Sequence, residues 1–562
     1  MAKMYRVRER AHEDLTTDLL HARGIVDSDA QSLFLDPNFE RDSHDPFLLP
    51  DMDVAVERIL AAVRAGEKVC VWSDYDCDGI PGGVLLTEFL RSIGLTVRHY
   101  IPHRHKEGYG LNNAGLADVA EGGVKLVITV DLGITDVDAV VFAQSKGMDV
   151  IITDHHLVPE IMPPALAVVD PKRKDSTYPF DGLCGAGVAW KLVQAILLKN
   201  RFGIAEGQEK WLLDLAGIAT LSDMVPLLGE NRMLARFGLQ VLRRNRRPGF
   251  AALLSMLKIK ANTLTEDDVG FMVSPRINAA SRMDSPELAA RLLATADKVE
   301  AKELAKQLDG INTERKTLVA TTVKEVNKRM LESEMQASPI IVMGNPTWRP
   351  GILGLVANSL AEAHNKTVFL WGREGGEMLR GSVRSDGNVN IVDLMRLAHR
   401  ATAEGGASGL FDDFGGHFAA GGFSVLPERV HELLPRLVQS YEVLRASVGA
   451  VKEVVVDREL DLAEVGHAQR ALTHLAPFGM DNQKPLFLIS NVSVASLRTF
   501  GKKLDHLELK LVNGGAAVSG IAFFSTPESF QKPITVGMKT DVVGHVELDW
   551  RGSPRVRIVD IL

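Results

Sequence analysis

The stretch VIITDHH, residues 150–156, ends an apolar run with three polar side chains, Asp154, His155 and His156. An apolar run of this kind predicts a buried strand. Strand patterns alternate with helical patterns from about 52 to 235, with predicted strands at 68–73, 96–101, 126–131, 149–153 and 166–169 and helices such as 52–65, 82–93, 112–121 and 135–146. The alternation indicates an α/β domain with a parallel sheet and helices on both faces.

Carboxylates follow two other predicted strands of this sheet. Asp74, Asp76 and Asp78 come after the first strand, Asp131 ends the third, and Asp223 lies downstream in ATLSDMVPL. Ligands of parallel sheets bind beyond the carboxyl ends of the strands. Carboxylates and imidazoles grouped there are costly unless a cation neutralises them. Asp oxygens with His nitrogens suit paired Mn²⁺ or Mg²⁺ better than a structural zinc, and such pairs cleave phosphodiesters or phosphoanhydrides.

The composition is that of an ordinary globular chain. Its 562 residues predict about three to four domains, and the net charge of −8 argues mildly against a generic nucleic-acid binder. No apolar run approaches the length of a membrane span, and no signal peptide follows the first charged residues. The three cysteines lack metal-ligand spacing and indicate a reducing compartment, so a cytoplasmic location is expected.

The patterns divide the chain into five predicted segments. They are an N-terminal lead-in (1–48), the α/β domain (49–235), a helical connector (236–337), a second α/β domain (338–446) and a β-rich terminal domain (450–562). The connector contains a helical pattern long enough for about 38 residues, or about 57 Å. The terminal runs of short strands with few helices predict a small closed barrel.

Several motifs resemble a known family. DYDCDG (74–79), VDLG (130–133), DHH (154–156) and SDMVPL (222–227) resemble the four motifs of the DHH phosphoesterase superfamily, and FGGHFAAGG (414–422) resembles the glycine-rich motif of its DHHA1 domain. Four further matches are IPHRHKEGYGLN (101–112), SPRINAASR (274–282), RGSVRS (380–385) and PFGMDNQKP (477–485). With the long helix and the terminal barrel, they resemble the bacterial RecJ family of single-strand-specific 5′→3′ DNA exonucleases. The chain departs from the family's usual residues at Cys77, at 81–83, at Leu132 and at Ser281.

The resemblance implies a role for each polar residue of the sheet edge. It implies that the metal ligands are Asp76, Asp78, Asp131, His155 and Asp223, with Asp131 bridging two ions. Asp74 and Asp154 would orient ligands or water, and His156 would contact the scissile phosphate or assist the leaving oxygen. The alternative for any single Asp here is a turn or a helix cap.

The resemblance also implies a substrate path. The candidate substrate-binding residues are Arg104, Arg276, Asn278, Arg282, Ser382, Arg384, Gly416 and His417. Arginine suits this role because its planar fork binds phosphate oxygens in pairs, and the alternative for each arginine is an interdomain salt bridge. The barrel resembles an OB fold, which binds single strands with basic and aromatic side chains, here at Phe500, Lys502, Lys503 and His506. Trp550 is a further candidate, although core packing would explain it equally well.

The implied function is a two-metal exonuclease that releases 5′-mononucleotides from single-stranded DNA in repair and recombination. Single-strand-binding protein and helicases are the implied partners, and a monomer without membrane association is expected. A phosphodiesterase of short oligonucleotides or cyclic dinucleotides is one alternative, but its architecture would not need residues 450–562. A non-catalytic DNA-binding replication scaffold is the other, and the complete ligand set argues against it.

Overall fold

The computed structural model describes residues 4–332, 334–373, 375, 378–403, 409–445, 453–501 and 504–562. The first elements are β1 (Met4–Val7), α1 (Leu15–Ala22), α2 (Ser28–Leu35) and α3 (Phe39–Asp42). Leu15, Leu19, Leu20 and Phe34 from these helices are buried in the core of the C-terminal barrel. Within the predicted lead-in, residues 1–48, the apolar side chains of α1 and α2 thus complete a core at the other end of the chain.

The first α/β domain has a five-stranded parallel sheet of order β3-β2-β4-β5-β6. Its elements are α4 (Met52–Ala65), β2 (Lys68–Ser73), α5 (Gly79–Ser92), β3 (Thr96–Tyr100), α6 (Asn113–Glu121), β4 (Val124–Val130), α7 (Val137–Ser145), β5 (Asp149–Thr153), β6 (Ala167–Val169), α8 (Gly185–Lys199), α9 (Leu213–Ser222) and α10 (Gly229–Arg243). Alternate residues of β4 enter different cores: Ile128 packs with α4, α5 and α8, and Val127 packs with α6 and α7. Burial on both faces explains why these strands are continuous apolar runs.

Helix α5 begins three residues earlier than the sequence predicts. Pro81 lies in its first turn, where a missing N–H costs nothing. A Cβ on Gly82 would lie 2.8 Å from the Val130 side chain, and one on Gly83 would lie 2.6 Å from Ser73 Oγ. The unusual residues at 81–83 thus allow α5 to pack closely on the sheet.

The connector contains α11 (Pro248–Leu257), α12 (Glu266–Asp268), α13 (Ser274–Met283), α14 (Glu287–Ala294) and α15 (Lys298–Leu331). The long helix α15 has 34 residues rather than 38, which corresponds to about 51 Å. It begins where the Asp297 side chain accepts hydrogen bonds from the amides of Val299 and Glu300. It packs against α11, α13 and α14 and then against the next domain, so it joins the two α/β domains.

The second α/β domain has a five-stranded sheet of order β10-β11-β9-β8-β7, parallel only between β7 and β8. Its elements are β7 (Ile340–Gly344), α16 (Pro350–His364), β8 (Thr367–Gly372), β9 (Leu379–Arg384), α17 (Ile391–Ala403), β10 (Asp413–Gly416), β11 (Ala420–Val425) and α18 (Leu433–Arg445). The glycine-rich segment 414–422 forms the β10–β11 hairpin. Gly416 has φ +145°, which a residue with a side chain rarely adopts.

The C-terminal domain is a closed barrel. Its elements are β12 (Glu453–Val456), β13 (Arg458–Leu460), α19 (Val465–Leu475), β14 (Phe487–Phe500), β15 (His506–Asn513), β16 (Ala516–Ala522), β17 (Lys539–Leu548) and β18 (Pro554–Ile561). The ladder runs β14-β15-β16-β18-β17 and closes when β17 pairs with β14. β1 pairs in parallel with β12. None of the described helices is long and apolar enough to cross a membrane.

Candidate active site

Three aspartates lie at the carboxyl edge of the first sheet, each directly after its strand. The amides of Asp74, Asp131 and Asp154 donate to the carbonyls of Val130, Thr153 and Val169 on the neighbouring strands, at 3.0 to 3.1 Å. Asp131 has φ +65°, so the chain turns sharply as it leaves β4. Since β2, β4 and β5 are adjacent in the sheet, their carboxylates converge on one site.

The side chains at this edge form three groups whose donor atoms lie within 4.8 Å of one another: Asp74, Asp76 and Asp131; Asp78, His155 and Asp223; and Asp131, His155 and His156. Asp131 and His155 each belong to two of these groups. The Nε2 of His155 lies 3.1 Å from Asp131 Oδ1, 3.7 Å from Asp78 Oδ2 and 3.6 Å from Asp223 Oδ2. The geometry therefore links the groups into one continuous cluster.

Two of these aspartates also cap helices. Both oxygens of Asp78 accept hydrogen bonds from the amides of Gly185 and Ala186 at the start of α8, at 2.6 and 2.8 Å. Asp76 Oδ1 accepts from the amides of Asp78 and Gly79 at the start of α5. Capping holds these carboxylates in position, and each still contributes a donor atom to one of the groups.

The cluster carries more negative charge than its surroundings neutralise. Burial and the neighbouring carboxylates raise the pKa of Asp74 and of Asp131 well above the ordinary value. Burial, reinforced by Asp76, raises the pKa of Asp78 to about 6, and burial, reinforced by Asp78, raises the pKa of Asp223 to about 9. Burial lowers the pKa of His155 to about 3, which keeps its imidazole neutral.

This donor set fits divalent cations. Asp131 Oδ1 is buried and makes no hydrogen bond to any described residue, although His155 Nε2 lies 3.1 Å away. Carboxylate oxygens with a neutral imidazole are ligands for Mn²⁺ and Mg²⁺, and a cation would relieve the repulsion that raises these pKa values.

Asp154 pairs with His156, which belongs to the third donor group of the cluster. Asp154 Oδ1 lies 2.7 Å from His156 Nδ1, and Asp154 Oδ2 accepts from the amide of Ile134. Burial would raise the pKa of Asp154, but these hydrogen bonds outweigh it and the net pKa is lowered. Burial would lower the pKa of His156, but Asp154 outweighs it and the net pKa is raised. The His156 side chain is 42% exposed, so the pair presents to solvent an imidazole whose protonated form Asp154 stabilises.

A cleft of about 960 Å³ separates the two α/β domains and brings together side chains from both. Of the predicted substrate-binding residues, Arg104, Ser382, Gly416 and His417 line it. Tyr75 and Tyr109 also line it, and sequence reasoning missed both. Their rings lie 6.3 Å apart, and the guanidinium of Arg104 lies 4.9 Å above the Tyr75 ring. The available signal was their place inside the motifs DYDCDG and HKEGYG.

Three further arginines with few counter-charges, Arg282, Arg315 and Arg384, lie near one another, and Arg282 donates to the carbonyl of Gly351, which lines the cleft. Burial and the nearby charge of Arg104 lower the pKa of Arg282 to about 10, with Arg315 and Arg384 adding to the effect. Arg384 donates to the Val383 carbonyl and forms no ion pair with a described residue. Sequence reasoning missed Arg315 on α15, whose Nε is buried without a hydrogen-bond partner among the described residues. Such an excess of cations suits a polyanion.

Two of the predicted phosphate-binding residues, Arg276 and Asn278, form hydrogen bonds with other residues of the protein. Arg276 is 6% exposed. Its Nη2 lies 2.8 Å from Asp309 on α15, and its Nη1 donates to the Met272 carbonyl. Asn278 Oδ1 accepts from the amide of Cys77 at 3.0 Å. The Arg276 guanidinium therefore joins α13 to α15 within the connector, and Asn278 supports the loop that carries Asp76 and Asp78.

The barrel carries exposed aromatic side chains. Trp550 is 80% exposed, with the Arg551 guanidinium 4.4 Å above its ring, so core packing does not explain it. Around His506, the rings of Phe500, Phe523 and Phe524 lie within 4.9 to 5.6 Å. Lys502 and Lys503 lie outside the described residues.

Three domain families match the chain in order. The N-terminal domain of the DHH family matches residues 68–220, the DHHA1 domain matches 337–442, and the RecJ OB domain matches 456–559. The fold and the acidic cluster at the sheet edge thus define a phosphoesterase of the DHH class.

Comparison with related proteins shows which family within this class the chain belongs to. The chain is 32% identical to the single-stranded-DNA-specific exonuclease RecJ of Bacillus subtilis over 99% of this chain and 69% of that protein. It is 32% identical to the RecJ of Dickeya dadantii over 91% of this chain and 90% of that one. The crystal structure of Thermus thermophilus RecJ in complex with Mn²⁺ superposes with a TM-score of 0.79 at 28% identity, covering 100% of this chain and 79% of that one. The chain belongs to the RecJ family of single-stranded-DNA-specific exonucleases.

Proposed function

We propose that this chain hydrolyses single-stranded DNA from the 5′ end with two divalent ions, Mn²⁺ or Mg²⁺, and releases 5′-mononucleotides. The observation that carries the proposal is the acidic cluster beside a cleft lined by Arg104, Arg380, Tyr75 and Tyr109. We place the activity in DNA repair and recombination.

Asp76, Asp78, Asp131, His155 and Asp223 are the proposed metal ligands, with Asp131 shared between the ions. Asp74 belongs to one of the three donor groups, so it either orients a ligand or binds directly. When bound, the ions supply Lewis acidity that activates water and offsets charge on the phosphate.

The remaining side chains bind and orient the strand. Asp154 favours the protonated form of His156, which can donate a hydrogen bond to the scissile phosphate or a proton to the leaving 3′ oxygen. Tyr109, which is 48% exposed, provides a ring face on which a base can stack, whereas Tyr75 is buried under the Arg104 guanidinium. Arg104, Ser382 and Arg384 are the proposed site for the terminal 5′ phosphate, because an exonuclease must recognise a strand end.

The deciding experiment compares oligonucleotides labelled at the 5′ or the 3′ end, as single strands and as duplexes, with Mn²⁺. Immediate release of a labelled mononucleotide from the 5′ label, and only from the single strand, is expected. Release from the 3′ label first would refute the polarity. Cleavage restricted to dinucleotides or cyclic dinucleotides would favour the phosphodiesterase alternative, and binding without cleavage would favour a scaffold.

We further propose that the chain acts as a monomer in the cytoplasm, together with single-strand-binding protein and helicases. The three cysteines support a reducing compartment, since all are buried and unpaired. Pull-down with purified single-strand-binding protein, and light scattering of the purified chain, test the partner and the oligomeric state.

A further inference from the structure

The motif PFGMDNQKP, residues 477–485, lies between α19 and the barrel and contacts the first α/β domain; we call it the docking segment. The loop that it contacts, residues 223–228, begins with Asp223; we call it the Asp223 loop. The amide of Leu227 donates to the Met480 carbonyl at 2.9 Å. A Cβ on Gly479 would lie 2.6 Å from Leu227 Cδ1, so this glycine allows the close approach.

The Asp223 loop is also held by its own domain, where Val225 is buried with Cys184, Ala186 and Ala219. Asp223 ends α9, where its amide donates to the Ala219 carbonyl, and Met224 follows in the left-handed region with φ +62°. The Pro226 carbonyl accepts from the Asn231 side chain. Leu228 packs against the core of the barrel. The loop therefore runs from the metal cluster directly onto the C-terminal domain.

A second set of contacts fixes the docking segment itself. Arg232, on α10 just beyond the loop, is buried and donates to the carbonyls of Phe34, His474, Leu475, Ala476 and Pro477. Lys484 Nζ lies 2.5 Å from Asp267 Oδ2 on α12, and Arg23 donates to the Asn482 side chain and to the Gln483 carbonyl. These bonds hold the segment from three sides.

We infer that the docking segment positions Asp223, so that the C-terminal domain contributes to metal binding without supplying a ligand. The inference rests on the proposed role of Asp223 as a metal ligand. Asp223 Oδ2 lies 3.6 Å from His155 Nε2, and Leu227 is only four residues away along the chain. A shift of Leu227 is therefore transmitted to the carboxylate through a short segment.

The test is Gly479→Ala, which pushes the Leu227 side chain without removing any polar group. Titration calorimetry of the full chain with Mn²⁺, without DNA, should show the dissociation constant of the Asp223 site rising about tenfold, the size typical of groups that orient a ligand. The double variant Gly479→Ala/Leu227→Val removes the crowded methyl and should restore the affinity. Lys484→Ala, which frees the segment from α12, should shift the constant in the same direction.

Gly466→Ala is the matched control, because it lies in the same domain and its new Cβ meets nothing within 4 Å. An unchanged Mn²⁺ constant for both Gly479→Ala and Lys484→Ala, or an equal rise for Gly466→Ala, overturns the inference. Asp223→Asn distinguishes the role of Asp223 as a metal ligand from the positioning role of the docking segment. If Asp223→Asn weakens Mn²⁺ binding and neither Gly479→Ala nor Lys484→Ala does, only the positioning role fails; if Asp223→Asn has no effect, the ligand assignment itself fails.

Discussion

At the scale of single residues, Asp131 is central to the acidic cluster. It belongs to two of the three donor groups, and it is buried among carboxylates that raise its pKa. Its left-handed backbone is one that asparagine also tolerates. Asparagine is therefore a better test of its charge than alanine, because it preserves both the shape and the turn.

Asp131→Asn should lower nuclease activity by more than about 100-fold, since loss of groups that merely orient ligands already costs 10- to 100-fold. The same change should raise the melting temperature in EDTA, because it removes a repelled buried charge. Nuclease assays and thermal melts of the purified variant test both effects. Activity near that of the unmodified chain would rule out Asp131 as a ligand.

Arg384 and Arg276 should differ in how they affect recognition of the strand end. Arg384→Ala should weaken binding of 5′-phosphorylated strands more than 5′-hydroxyl strands, because a charge-assisted contact contributes about 1.5–3 kcal/mol, or about ten- to hundredfold in affinity. Arg276→Ala should affect both strands equally, because its guanidinium is bound to Asp309. Fluorescence anisotropy with the two kinds of strand in EDTA measures the ratio. An equal loss on both strands for Arg384→Ala would show that Arg384 does not bind the end.

At the scale of elements, the carboxylates that follow the strands of the first sheet lie close enough to raise one another's pKa values. The raised pKa values of Asp78, about 6, and of Asp223, about 9, mean that the metal-free fold binds more protons than the unfolded chain. Their contribution to stability is thus present at acidic pH and is lost as pH rises through these values. A bound cation reverses this effect, because it favours the carboxylate anions.

The increase in melting temperature caused by Mn²⁺ should therefore grow between pH 6 and pH 8, as the protons that compete with the ion are lost. Thermal melts in Mn²⁺ and in EDTA across this range give the increment directly. In Asp131→Asn the increment should be small at every pH. If the increase in melting temperature caused by Mn²⁺ does not change with pH in the unmodified chain, the raised pKa values of Asp78 and Asp223 are contradicted.

At the scale of the whole molecule, the two ends of the chain form one domain. Leu15, Leu19, Leu20 and Phe34 are buried with the strands of the barrel. Deleting residues 450–562 would expose these side chains and remove four of the five carbonyls to which Arg232 donates. Such a truncation therefore does not isolate the role of the barrel in binding long strands.

Leu19→Ala should destabilise the barrel by about 2–5 kcal/mol, the usual cost of truncating a buried leucine. Hydrogen exchange should increase in β14–β18 and stay unchanged in β2–β5. Leu33→Ala is the control, because Leu33 is 45% exposed on the same N-terminal segment. Faster exchange confined to residues 4–48 would show that the segment is not part of the barrel core.

The sequence alone indicated the fold class, the alternation of strands and helices in the first α/β domain and the group of carboxylates that follow its strands, because strand-end carboxylates and apolar periodicity are local patterns. It also predicted Arg104, Ser382, Gly416 and His417, which the structure places in one cleft. Only the tertiary structure decided that Arg276 pairs with Asp309, that α1 and α2 belong to the barrel, and that the docking segment meets the Asp223 loop. These contacts join residues that are far apart along the chain, and each depends on how whole domains pack, which no local pattern of polar and apolar residues records.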